Sequence, residues 1–226
     1  MDTDYDDQSM DLEERKKWAH KDVEHWRATS NVHYYAREGY YGTAILVCDG
    51  RLATIQDAPL AILKGVCLTM LGKIPEAIRQ LDPFSTDNEC ALGALYALKW
   101  AHLSAFNPDN KSIVEFESEI STRTRNEKTP YSSFASAAEV LYFSGEYQKA
   151  KQMLDIARKR ATERHAKHYC LMGWIDLALG KKQKSTQELF EKAGGQEYPD
   201  GLFRIPIWTY VGRDEVGGNV VDDEAN

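Results

Sequence analysis

The chain has 226 residues, 42% of them hydrophobic, and its 28 basic against 35 acidic side chains leave a net charge of −7. That length admits one large or two small domains, and the acidity excludes a general affinity for nucleic-acid phosphates, which requires clustered cations. No apolar run is long enough to span a bilayer as a helix.

Residues 2–14 carry seven acids and no base. We read 1–20 as an acidic, partly disordered lead. With no apolar h-region it is not a secretory signal, and its acids rule out a transit peptide. The expected location is the cytosol, where Cys48, Cys67, Cys90 and Cys170 stay reduced and buried. The Asn110-Lys111-Ser112 sequon is then a chance match.

A helical period starts near Asp11–Lys21 and continues to about Ala193, with little strand-like alternation. Within it one shape recurs: a Gly, an Ala five residues on, and a large apolar residue four further. Gly72–Ala77–Leu81 and Gly145–Ala150–Leu154 have it. Gly39–Ala44–Cys48 has a smaller last member, and Gly180–Ser185–Leu189 has Ser for Ala. The glycines stand 72 − 39 = 33, 145 − 72 = 73 and 180 − 145 = 35 apart. A period of about 34 built from two helices is tetratricopeptide spacing, with one degenerate unit inside the double gap.

The Gly suits the turn between two helices. The Ala suits the point where the second helix crosses the first. Phe134, Ala137, Ala138 and Leu141 make the stripe on which Ala150 and Leu154 should pack. Gly65 with Leu68, and Tyr169 with Gly173, take matching places on other first helices. In the degenerate unit Gly93 and Tyr96 fit a first helix, and a loop with Asn107-Pro108-Asp109 replaces the short turn. Thr129 before Pro130, and Pro75, mark helix starts.

The expected fold class is therefore all-α, an α-solenoid of tetratricopeptide-type helix pairs. Its span is 21–195, with units near 21–57, 58–86, 87–126, 129–163 and 164–195. Residues 196–226 form a divergent tail. Pro199 and Pro206 break any helix there. Leu202, Phe203, Ile205, Ile207 and Trp208 could cap the last pair before a loose acidic end.

Chemistry-bearing candidates are few. His165, His168 and Cys170 lie together in "HAKHYC", but zinc needs a fourth ligand in a fixed geometry. The plainer reading is a helix with a surface-facing His pair and Cys170 turned away. His20, Glu24 and His25 lack HExxH spacing. The cysteines sit on apolar stripes, not beside a His in a cleft, and the glycines do not cluster into a phosphate loop. We expect no enzyme, no catalytic residues, no metal and no cofactor. The basic run 158–168 either complements a helix C-terminus or meets an acidic partner peptide.

First helices of such arrays line the concave face. Here that face carries Ile62, Val66 and Met70, then Ala135, Glu139 and Tyr142, then Cys170 and Trp174. It is mostly apolar. Ile62 and Val66 stand where clamps for chaperone tails carry Lys and Asn, so a co-chaperone role is not expected. The second helix after Gly145 has a wet stripe of Gln148, Lys151, Gln152, Asp155 and Lys159. Two readings stay open for the apolar face: a superhelix tight enough to cover it, or a partner that does.

Five stretches carry a resemblance: "NVHYYAREGYYGTAILVCDG", "LGKIPEAIRQLDPF", "CALGALYALKWAHLSAFNPDNKSI", "LYFSGEYQKAKQMLDIA" and "GWIDLALGKKQKSTQELFEKA". In order and wording they resemble the N-terminal region of the tetratricopeptide repeat protein 21 family, from about residue 31 to 193. The irregular unit with its Asn-Pro-Asp loop is the more specific feature. After Gly195 the likeness is expected to stop, and family members are several times longer. The resemblance implies a non-enzymatic scaffold of intraflagellar transport complex A. It would serve retrograde transport and protein delivery in cilia, at the ciliary base and axoneme, through contacts with other complex A subunits. A free-standing adaptor that holds a helix or peptide in the apolar groove is the alternative. Partner-binding residues are not legible.

Overall fold

The computed structural model describes residues 29–161, 166–181 and 183–194. Every regular element in them is helical, and the α-solenoid expectation holds. Helix α1 covers 29–37. It is followed by α2 (Tyr41–Leu52), α3 (Ala58–Met70), α4 (Ile74–Leu81), a 3-10 turn (Asp82–Phe84), α5 (Ala91–Leu103) and α6 (Asn110–Arg125). Then come α7 (Tyr131–Phe143), α8 (Tyr147–Arg160), α9 (Ala166–Ala178) and α10 (Gln183–Gly194). Odd-numbered helices stack on one another, α3 on α5, α5 on α7 and α7 on α9, and even-numbered helices pack outside their own odd partner.

The repeat glycines make the corners. Gly145 has φ 82°, a left-handed backbone that a side chain would strain; Gly39, Gly72 and Gly180 have φ 79°, 73° and 68°. Past Gly145, the Glu146 N–H donates to the Leu141 carbonyl at 2.9 Å and the Gly145 N–H to the Tyr142 carbonyl at 3.1 Å. This double closure satisfies the last carbonyls of α7 and reverses the chain in two residues. The same pair of bonds follows Leu68–Thr69 and Asp176–Leu177.

Small residues set how closely the pairs approach. Ala44, Ala77 and Ala150 are completely buried. Phe134, Ala137, Ala138 and Leu141 share one apolar cluster with Ala150, Leu154 and Ala157, as their stripe requires. A Cβ on Gly65 would lie 2.5 Å from Leu81, and one on Gly173 would lie 2.7 Å from Phe190. Both glycines therefore let a second helix rest on its own first helix.

Two expectations fail locally. The last unit is out of step in its burial: Ser185, five residues after Gly180, is exposed, and the buried small residue is Thr186. Gly93 and Tyr96 lie on α5, the first helix of the irregular pair, as expected; Gly93 sits near its start, where a Cβ would meet Ser136 Oγ at 2.1 Å, so it permits close approach of α5 to α7. Thr129 does not cap α7; its hydroxyl donates to the Arg123 carbonyl at 2.7 Å and closes α6 instead.

Two caps do match their sequence. Asp57 accepts from the Leu60 N–H at 3.0 Å and starts α3. Asp109, at the end of the Asn-Pro-Asp loop, accepts from the N–H groups of Lys111 and Ser112 at 3.1 and 3.3 Å. These bonds occupy donors that a helix start otherwise leaves unpaired. The acidic lead, the tail 196–226 with its 202–210 cap, and His20, Glu24, His25 and His165 lie outside the described residues.

Candidate interaction surface

Of the eight residues assigned to the concave face, several face their own chain. Ile62 and Val66 are buried among Ala94 and Leu98 of α5 and Val140 of α7. Ala135 lies in the central cluster with Leu92 and Leu171. Glu139 is buried on α7. Cys170 is buried, in a cluster that holds Tyr169 and Trp174 of its own helix and Ala193 of α10. Met70, Tyr142 and Trp174 keep partial exposure and line a cavity of about 280 Å³, together with Tyr34, Arg37 and Phe143.

That cavity lies at a seam. Helix α1 is anchored on α2 and α3 by Val32 and Ala36, which meet Ala44, Cys48, Leu60, Leu63 and Cys67. Its other stripe points across the superhelix. His33 meets Phe143 of α7 edge-to-face, with ring centroids 5.4 Å apart. The Arg37 guanidinium stands 4.0 Å over the ring of Trp174 on α9, a cation–π contact. Residues 33 and 37 are one helical turn apart, so both project from one face. The superhelix is therefore wound tightly enough for its first helix to reach its fourth and fifth pairs. The self-covered reading of the apolar face applies over most of its length. Sequence reasoning missed His33 and Arg37. The four-residue spacing in "HYYAR" is visible, but no local rule says which distant helix it meets.

The charged residues are also largely engaged within the chain. Lys151, placed on the wet stripe of α8, instead donates to buried Asp176 of α9 at 2.9 Å, and Lys181 joins it at 2.8 Å. In the basic run, Arg160 donates to the carbonyls of Asn126, Glu127 and Thr129 at 3.2, 3.3 and 2.6 Å. Its guanidinium also lies 4.5 Å from the Phe134 ring centre. Arg158 stacks at 5.1 Å over Tyr169. Arg158 and Arg160 thus fasten α8 to the preceding loop and the following helix, which leaves less of the run for an acidic peptide.

The proposed chemical groups stay apart. His168 is buried, not surface-facing, and its ring packs edge-on to Tyr131 at 6.1 Å. Among the described residues no group of His, Cys, Asp and Glu could hold a metal. The four cysteines are buried thiols outside any disulfide. Burial pushes the Cys67 thiol up to about 12. Burial and then Asp87 push Cys90 up to about 12 as well. Burial raises Cys48 further. A thiol held protonated is a weak nucleophile, so these are packing groups. Among the described residues no helix is long and apolar enough to cross a membrane.

The outer edge offers what the groove does not. Leu103, Phe106 and Val114 project from the irregular α5–α6 connection, with Phe106 fully exposed. Tyr40 and Leu71 are exposed at the α1–α2 and α3–α4 corners.

A family model described as "Tetratricopeptide repeat protein 21 N-terminal ARM repeat" matches residues 32–205. The chain belongs to the tetratricopeptide repeat protein 21 family. Its likeness to that family runs past Gly195, where the sequence reading ended it, by ten residues. The chain is 82% identical over 201 residues to the tetratricopeptide repeat protein 21 homolog of Caenorhabditis elegans, covering 89% of this chain and 15% of that protein. The Caenorhabditis briggsae homolog is 82% identical over 190 residues, 84% of this chain and 14% of its own. Tetratricopeptide repeat protein 21B of Homo sapiens is 25% identical over 161 residues, 70% of this chain and 12% of its own. The chain thus spans about a seventh of the length of the curated relatives it matches. A solved tetratricopeptide repeat protein from Parabacteroides merdae overlaps 74% of this chain and 82% of its own at 15% identity and a TM-score of 0.29, too loosely to bear on this chain. The family description uses the term ARM repeat, yet the described helices here pair two by two.

Proposed function

We propose that this repeat domain is a non-enzymatic protein–protein interaction scaffold of intraflagellar transport complex A. It supports retrograde ciliary transport and protein delivery to cilia, in the cytoplasm, at the ciliary base and along the axoneme. Membership of the tetratricopeptide repeat protein 21 family carries this reading. A stacked-pair solenoid fits it, because recognition by such arrays rests on surface shape and not on a reactive group. The exposed apolar residues at the helix corners are the surfaces on which subunit contacts would form. No catalytic residue and no cofactor enters the proposal.

The adaptor alternative requires an open groove for a peptide or helix. The seam at α1 leaves a cavity of about 280 Å³, below the usual range of about 300–1,000 Å³ even for small-molecule sites. Purification of the tagged chain from ciliated cells separates the two. Co-purification of complex A subunits, with tagged particles moving along cilia, is the expected result. Recovery of an unrelated partner without complex A subunits would favour the adaptor.

A further inference from the structure

We propose that the contact of α1 with α7 and α9 is an acid-opened clasp that keeps the superhelix wound. The seam rests on few groups. His33 meets Phe143 and Arg37 meets Trp174, beside a cavity of about 280 Å³ that Tyr34, Met70 and Tyr142 also line.

The His33 side chain is half-buried overall, but its Nε2 is buried and has no hydrogen-bond partner among the described residues. A neutral imidazole tolerates that better than an imidazolium, in which both nitrogens must donate. The charges bearing on the ring are cations: Arg37 on its own helix and Lys167 on α9. Phe143 of α7 brings no charge. On α3, Lys64 is held by Asp49 of α2 at 2.7 Å. Glu139, one turn before Phe143, is buried and already engaged. Burial first, then Arg37 and Lys167, pull the His33 pKa down to about 3.

The direction of the pH effect follows by linkage. With the clasp open, His33 returns to its ordinary value of about 6.5. Below that pH the open form takes up a proton that the closed form refuses. Closure is therefore fully favoured above pH 6.5 and weakens as the pH falls toward 3. Relative to pH 7.5, opening becomes about 30-fold more favourable at pH 5.0. Opening would uncover the aromatic seam formed by Tyr142, Phe143 and Trp174. None of this depends on the transport reading.

The test places spin labels at Leu46→Cys on α2 and Lys192→Cys on α10, both exposed sites. The native thiols are buried, which directs labelling to the new ones. The expected result is a short interlabel distance at pH 7.5 and an added longer population at pH 5.0. His33→Phe should remove the pH response, and Trp174→Ala should show the longer population already at pH 7.5. If His33→Phe does not fold by circular dichroism, His33→Gln serves with the same expectation. An unchanged distance distribution between the two pH values overturns the clasp. So does a pH response that survives loss of His33.

Discussion

The α7–α8 and α5–α6 pairs use the same architecture and differ in how well the second helix is held. In α8, Ala150, Leu154 and Ala157 are completely buried against α7. In α6, Ile113 and Ile120 are the buried residues, while Leu103, Phe106 and Val114 project into solvent. The inner helix of the irregular pair is not weak. Helix α5 buries Ala91, Leu92, Ala94, Leu95, Ala97, Leu98 and Ala101 between α3 and α7. Losing the Gly-turn-Ala pattern therefore loosens the outer helix and leaves the inner stack intact. The Gly145 unit consumes its apolar surface internally, and the irregular unit leaves some for other molecules.

Substitutions can break or sharpen that contrast. Leu154→Ala should cost about 2–5 kcal/mol, because it empties a tightly packed site. Ile120→Ala, on the looser α6, should fall at or below the lower end of that range, and denaturant melts of the two variants compare them directly. Equal losses would mean that α6 is held as firmly as α8. Ala150→Leu should cost about 1–3 kcal/mol by overpacking the α7–α8 crossing. A melt unchanged from the parent would contradict its place there.

Smaller effects are expected at the irregular connection. Asp109→Ala removes the acceptor for two N–H groups at the start of α6 and should lower the melting temperature, by less than the core variants do. Asp109→Asn should recover much of it, since Asn caps about as well. Phe106→Ser should change stability by no more than about 0.5 kcal/mol, because the ring is fully exposed. If Phe106 serves a subunit contact, the same variant should reduce co-purification of complex A subunits while its melt is unchanged.

Much of the fold was legible because its determinants are local. A glycine that must adopt positive φ and an alanine that must lie at a crossing leave marks at fixed spacing. Gly72–Ala77–Leu81 and Gly145–Ala150–Leu154 carry those marks without noise. The reading failed by one residue after Gly180, where burial falls on Thr186 and not on Ser185. It did not show which neighbour Gly93 serves, since a small residue answers equally to its own partner helix or to the next repeat. The interaction surface was less legible. Ile62 and Val66 were recognised as apolar, but whether an apolar first helix faces a partner or its own chain depends on the winding of the whole array.

By itself, the sequence determined the helical class, the stacking unit and the corners, because each follows from sterics within some thirty-four residues. Only the tertiary structure decided that α1 reaches α7 and α9, that Lys151 and Arg160 are spent on internal fastening, and that Tyr40, Leu71 and Phe106 stand exposed at corners. Those outcomes come from small rotations between successive pairs. Such rotations add up along the stack, and no single pair's residues record their sum.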